Sequence, residues 1–235
     1  MTKINWPQAF AEVGLLALGV ALALLADSAW DLRQERAEER GYLQALQLDF
    51  EASRTQFQQT LEGNRQTLEH DLRLLELLAG PPGSVSLDSL SGLVERAFWW
   101  LEFEPVLATY SDMVNSGDLR LIQSDTLRLE IAKFEAYVGM LDKVSEEGLY
   151  QWNQLQVPFL VENLSVSRAY EGFLDEVSFP QSRHQPDEAA FWGREFENIL
   201  SVKILSLSDI LLVGGTGLDH IERILRLIEK ERSTH

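Results

Sequence analysis

Residues 13–26 read VGLLALGVALALLA, and from Pro7 onward a helical pattern runs without a stop to Gly80-Pro81-Pro82-Gly83, which no helix reads through. Fourteen apolar residues fall short of the roughly 20 that cross a bilayer. The flanks lengthen the segment. From Pro7 to Trp30, with Trp6 and Trp30 where amphipathic rings prefer headgroup level, the helix reaches about 36 Å. We therefore expect residues 1–31 to be a transmembrane anchor. A signal-peptide core and a buried helix are the competing readings, and Glu12 at the head of the apolar run argues against the first.

Beyond the anchor, Leu43, Leu46, Phe50, Phe57, Leu61, Leu68, Leu72 and Leu75 recur at spacings of three, four and seven with Gln, Glu and Arg between them. One apolar stripe on a long stalk helix, residues 32–79, is the expectation. It serves either as a coiled-coil seam or as the face that packs on the following helices, and the second use is preferred because the rest of the chain also needs helical partners. Gly41 or Gly63 is expected to bend or break so long a helix.

The remainder reads as a helical bundle over residues 86–231. Ser86 or Asp88 caps a helix through Leu90, Val94, Phe98 and Leu101 to Pro105. A second helix runs from Pro105 to about Asn115, and a third from Ser124 to about Gln156, before Pro158. Residues 165–186 read as loop with one short helical turn. The last helix runs from Pro186-Asp187-Glu188 to Glu231, bent at Gly214-Gly215-Thr216-Gly217. No alternating run is long enough for a confident strand, so the fold class is all-α.

Composition narrows the function. Across 235 residues the net charge is −17, which opposes nucleic-acid backbones and anionic lipid headgroups. The absence of cysteine excludes disulfides, thiolate metal sites and thiol nucleophiles. None of His70, His184, His220 and His235 has a Glu three residues before it, and neither a His-Glu-x-x-His nor a Gly-x-Ser-x-Gly motif occurs. No catalytic residue, metal ligand or cofactor site is expected, and the chain does not read as an enzyme. The glycines at 214–217 lack the Lys-Ser/Thr of a phosphate loop and read as close backbone packing.

Two blocks of sequence carry a resemblance. The first is Glu12 through Gly19 with Trp30, Arg33, Glu35, Tyr42-Leu43 and Leu46 through Asp49. The second is Thr109 through Met113, Asn115 through Leu119, Ile122 and Leu127-Arg128. Together they resemble an uncharacterised family of bacterial inner-membrane proteins with one N-terminal span and a helical domain of unknown function. The resemblance implies location and fold but no chemistry. This chain lacks the basic cluster that the family carries at its N-terminus. The family's pattern would put the domain outside the membrane, whereas Arg33, Arg36 and Arg40 against Lys3 put it in the cytoplasm by the positive-inside count.

On a helical wheel Gln8, Glu12, Gly19, Ala23, Ala26 and Trp30 fall within about 40° of one line, with Asp27 close by. Small residues let helix backbones approach, and an intramembrane carboxylate needs water or a partner. The leading functional expectation is thus a homo-oligomer whose spans pack through Glu12, Gly19, Ala23 and Asp27 around a channel or gated pore. The alternative is a membrane-tethered scaffold or sensor that binds a protein partner through the helical domain. Trp99, Trp100, Ser116 and Gly117 are the candidate partner contacts, and adjacent helical tryptophans could not both enter one core. Ser116-Gly117 sits between helices, and its preferred reading is structural, with Gly117 as a positive-φ C-cap and Asp118 outside it. The expected partners are the lipid bilayer, further copies of the chain and another protein.

Overall fold

The computed structural model describes residues 6–85, 93–94, 96–165, 183–185 and 187–234; within these, the side chains of residues 6–13, 17, 188 and 234 lie outside the description. Every regular element among the described residues is helical. The first, α1 (Trp6–Leu78), is a single helix of 73 residues, about 110 Å at 1.5 Å per residue. It passes through Gly41 and Gly63 unbroken, so the expected break there is not found. Further along lie α2 (Ala108–Ser116), a 3-10 turn (Asp118–Leu121), α3 (Asp125–Gln151), a π turn (Trp152–Gln156), α4 (Val157–Asn163), α5 (Glu188–Phe191) and α6 (Arg194–Thr234). The capping expected at Ser86 or Asp88, and most of the loop at 165–186, lie outside the described residues.

The long helix stays intact because a second long helix runs beside it. On α1 the buried positions Glu39, Leu43, Leu46, Phe50, Ser53, Phe57, Thr60 and Asn64 alternate in steps of four and three, and Asp71 and Leu74 continue the register. On α6 the same steps connect Phe196, Leu200, Lys203, Leu207, Ile210, Gly214, Gly217, Ile221, Ile224 and Ile228, all buried. A strict 3.5-residue repeat on both partners is the geometry of a coiled-coil seam. Contacts from Gln47 to Arg232 at one end and from Asp71 to Lys203 at the other make the pairing antiparallel and internal to the chain. This fulfils the preference for intramolecular packing but corrects the stripe. Beyond Leu61 the buried line follows Asn64, Asp71 and Leu74, and Leu72 stays 44% exposed.

Two hydrophobic clusters sit along the seam. The one nearer the N-terminal apolar segment joins Leu43 to Phe57 of α1 with Tyr110 and Met113, α3 from Leu127 to Leu141, and Ile221 to Ile228 of α6. Its rings interlock, Phe50 meeting Phe134 edge-on at 5.5 Å and Phe57 lying 4.7 Å from Phe103. The far cluster joins Leu74 with Val94, Ala97, Phe98, α4, Phe191 and the start of α6 from Phe196 to Leu200.

Between Trp99 and Leu107 the chain is not helical, contrary to the helix expected up to Pro105. It is an extended strap lying antiparallel along α1, held by side chains that α1 projects from its seam. Asn64 donates to the carbonyl of Leu101 at 2.9 Å and accepts from its N–H at 2.8 Å. Gln56 donates to the Glu102 carbonyl at 3.0 Å, the Val106 N–H donates to Ser53 Oγ at 2.8 Å, and the Thr109 N–H donates to Asp49 at 2.8 Å. The rises match. Eleven helical residues from Ser53 to Asn64 cover about 16.5 Å at 1.5 Å each, and five extended residues from Leu101 to Val106 cover about the same at roughly 3.3 Å each. Pro105 suits the strap because it offers no N–H and disfavours helical backbone at Glu104. Asn64→Ala is expected to cost about 2 kcal/mol, since one truncation removes both strap bonds from a fully buried side chain. Chemical denaturation of the full chain measures it.

Two further departures from the sequence reading have local causes. Helical backbone does not stop before Pro158: α3 gives way to the π turn, which loosens the hydrogen-bond ladder where proline has no N–H to give, and α4 begins there with Pro in its first turn. The last helix starts twice: Asp187 caps α5 by accepting from the Ala189 N–H at 3.0 Å, and α6 then runs from Arg194 without interruption through the glycines at 214–217.

Candidate functional site

The sequence-expected site residues fall in three separate places. On α1, Gly19 has no atom within 4 Å of where a Cβ would stand, and Ala23 and Asp27 are exposed. The side chain of Glu12 lies outside the described residues. Around these positions Leu15, Leu16, Leu18, Val20, Leu22, Leu24 and Leu25 are all 59–72% exposed, so none of the described residues covers them. Two described helices, Gly14–Leu78 and Arg194–Ser233, contain windows long and apolar enough to cross a membrane. In the second, a third of that window is buried; Leu200, Leu207 and Ile210 lie in the seam, whereas Leu205 and Leu212 are exposed.

Ser116 and Gly117 form a corner. Gly117 ends α2 with φ +82°, and its N–H reaches back to the carbonyls of Met113 and Val114, as a left-handed C-cap requires. Asp118 follows and accepts the Tyr42 hydroxyl at 2.8 Å, which docks the corner on α1 and holds the Asp118 carboxyl below its ordinary range. Beside it Arg120 meets Glu35 at 3.5 Å, and Glu39 accepts from the Gln123 N–H at 2.7 Å. The contacts of Asp118, Arg120 and Glu39 serve docking while those of Ser116 and Gly117 close the turn, which supports the structural use of this corner. Ser124 then caps α3, as its position implies, by accepting from the Leu127 N–H at 3.4 Å.

Trp99 and Trp100 separate as expected, although on extended rather than helical backbone. Trp99 is 45% exposed. Trp100 turns inward, with its indole against Gly148 and the ammonium of Lys203 at 4.5 Å from the ring centroid. Lys203 is itself 3% exposed, and across the seam stands Asp71, fully buried, with neither carboxylate oxygen hydrogen-bonded. Sequence reading missed this pair entirely. The available signal was the phase of the repeat, which lands on Asp71 and on Lys203 when carried through the polar residues.

Burial dominates the chemistry of both groups. It pushes the Asp71 carboxyl up to about 8, against the weaker opposite pull of Lys203. It draws the Lys203 amine down to about 8, against the support of Asp71. Removing a charge from water costs several kcal/mol unless hydrogen bonds replace the hydration, and what the Lys203 ammonium meets is the Trp100 ring. The arrangement can therefore hold or release a proton near neutral pH. Among the described residues no group of three or more His, Asp or Glu side chains converges as a metal site.

No protein-family model, curated protein or solved structure matches the chain.

Proposed function

We propose that the chain is a membrane-anchored helical scaffold, which presents its domain to a protein partner at a fixed distance from the bilayer. The observation that carries this reading is the single helix α1. Its apolar residues 14–25 are bare of protein contact where they are described, and the same helix enters the buried seam only nine residues after Trp30, about 13.5 Å farther on. An anchor and a domain that share one unbroken helix move as one body, which suits a tether and leaves little freedom for a flexible leash. By the positive-inside count the domain lies on the cytoplasmic side of an inner membrane.

Leu18→Arg with Leu22→Arg tests the anchor. Each central arginine costs about 2.5–3.5 kcal/mol of insertion, so the full-length variant is expected in the carbonate-soluble fraction while the wild type stays in the membrane pellet. A soluble wild type, or a variant that pellets as firmly, would overturn the reading.

Self-association of the spans through Glu12, Gly19, Ala23 and Asp27 belongs to the same proposal. Gly19→Leu is expected to reduce the assembled species in detergent, because the space beside Gly19 is open to a second helix. Leu24→Ala, on the opposite face, is expected to matter less. Cation flux through the reconstituted protein that Glu12→Gln abolishes would turn the scaffold reading into a pore.

A further inference from the structure

Between the two hydrophobic clusters the seam carries a layer of buried polar side chains interleaved with Leu61, Leu207 and Ile210. Along α1 the layer is Thr60, Asn64 and Asp71, between Phe57 and Leu74. On α6 it is Lys203 and Ser206, and where α3 passes into the π turn it is Gln151, which accepts the Ser206 hydroxyl at 2.8 Å. Most of these groups are satisfied. Asn64 holds the strap and Gln151 holds Ser206, yet the Asp71 carboxylate has no donor at all. A buried acid without hydrogen bonds is tolerated in its neutral form and opposes packing once ionised.

We propose that this layer is a proton-operated joint: protonated Asp71 lets the far cluster dock on α1, and loss of that proton to water releases the far cluster while the cluster nearer the span stays packed. The opening unit is α4, α5 and the first turns of α6. It is joined to α3 through the π turn, where the helical ladder is already relaxed.

Among the described residues, only one charge faces each member of the pair. Asp71 feels Lys203 and Lys203 feels Asp71. His70, next on α1, meets the Leu93 carbonyl at 2.8 Å. Glu69 on α1, Glu102 on the strap, Glu147 on α3, Glu162 on α4 and Glu197 on α6 are not buried. In the open form both groups are hydrated and ionised. In the closed form one of them must be neutral. Opening therefore releases one proton from Asp71 between about pH 4 and pH 8, and the open population grows about tenfold per pH unit over that range. The joint concerns the helical domain alone and holds whether or not residues 7–30 cross a bilayer.

Amide hydrogen exchange on the full-length chain in detergent micelles, from pH 5 to pH 10, reads this directly. Hydroxide-catalysed exchange rises tenfold per pH unit in any open segment. Segments 157–163 and 196–204 are expected to rise about a hundredfold per unit, and segments 43–57 and 221–228 only tenfold. In Asp71→Asn the far segments return to tenfold. Lys203→Met withdraws the counter-charge, so it extends the steep regime above pH 8 and decides the matter even where Asp71→Asn fails to fold. A tenfold slope in the wild-type far segments overturns the joint. So does a hundredfold slope that survives in Asp71→Asn or does not extend in Lys203→Met.

Discussion

Replacing Asp71 and Lys203 together by leucine is expected to raise the unfolding free energy of the helical domain at pH 7 by about 4 kcal/mol, the upper end of what apolar replacement of a buried ion pair yields. Linkage gives a burden of at least that size. An aspartate whose folded pKa is raised from 3.8 to about 8 makes folding less favourable by roughly 1.4 kcal/mol for each pH unit between those values, which is about 4 kcal/mol at pH 7. The lysine, lowered from 10.5 to about 8, adds a burden that is complete below pH 8. For both groups burial outweighs the mutual attraction, so removal of the pair relieves more than it loses.

The sign follows from the directions of the two shifts. A raised acid is fully tolerated below pH 4 and opposes folding increasingly up to pH 8. A lowered amine is fully tolerated above pH 10.5 and opposes folding increasingly as pH falls to 8. Wild-type stability is therefore lowest near pH 8 on account of this pair, and the double variant loses that minimum. Lys203→Leu alone keeps the carboxyl and removes its counter-charge, so its stability is expected to fall more steeply than the double variant's between pH 5 and pH 9. Urea titrations at fixed pH, with an unchanged dependence on denaturant, measure all three. A double variant less stable than the wild type at pH 7 would show that the pair stabilises the seam by attraction.

What the sequence disclosed and what it hid divide along one physical line. Features set by a few neighbouring residues were legible: the stop at Gly80-Pro81-Pro82-Gly83, where Gly83 takes φ +80°, the left-handed cap at Gly117, and the caps at Ser124 and near Asp187. Features set by contacts far along the chain were not. Gly41 and Gly63 read as breakers because glycine weakens an isolated helix, but α1 is held by α6 and by the strap. The strap itself read as helix. Its only local mark is the short alternation of Phe103, Pro105 and Leu107 with the more exposed Glu102, Glu104 and Val106, and its hydrogen bonds come from Asn64 and Ser53, tens of residues earlier. The apolar stripe was followed by hydrophobicity, so it drifted onto Leu72 where the true seam continues through Asn64 and Asp71. A repeat that carries polar residues is invisible to a search for apolar ones, and that is how the candidate site escaped notice.

Gly217→Ala together with Gly214→Ala is expected to destabilise the domain by about 2–6 kcal/mol, from about 1–3 kcal/mol of overpacking at each position. Both glycines occupy seam positions of α6 where aromatic rings come in against the backbone. A Cβ on Gly217 would stand 2.6 Å from Phe57 Cε1 and 2.7 Å from Tyr137 Cε1, and a Cβ on Gly214 would strike the ring of Phe103. The rings cannot step aside independently. Phe57 packs on Phe103, Phe134 packs on both Phe57 and Tyr137, and the Tyr137 hydroxyl is tied to the Val213 carbonyl. Because Phe57 and Phe103 touch, the two substitutions should not add simply, and the double variant is expected to depart from the sum of the singles. Gly41→Ala is the control within the same fold, since nothing lies within 4 Å of its Cβ position and the residue is exposed on α1. There the gain in helix propensity acts alone and should stabilise by about 0.5–1 kcal/mol. Opposite signs for one substitution at two kinds of helical glycine are the signature of close approach across the seam. A neutral or stabilising Gly217→Ala, measured by urea denaturation at pH 6, would mean that Phe57 and Tyr137 are free to give way.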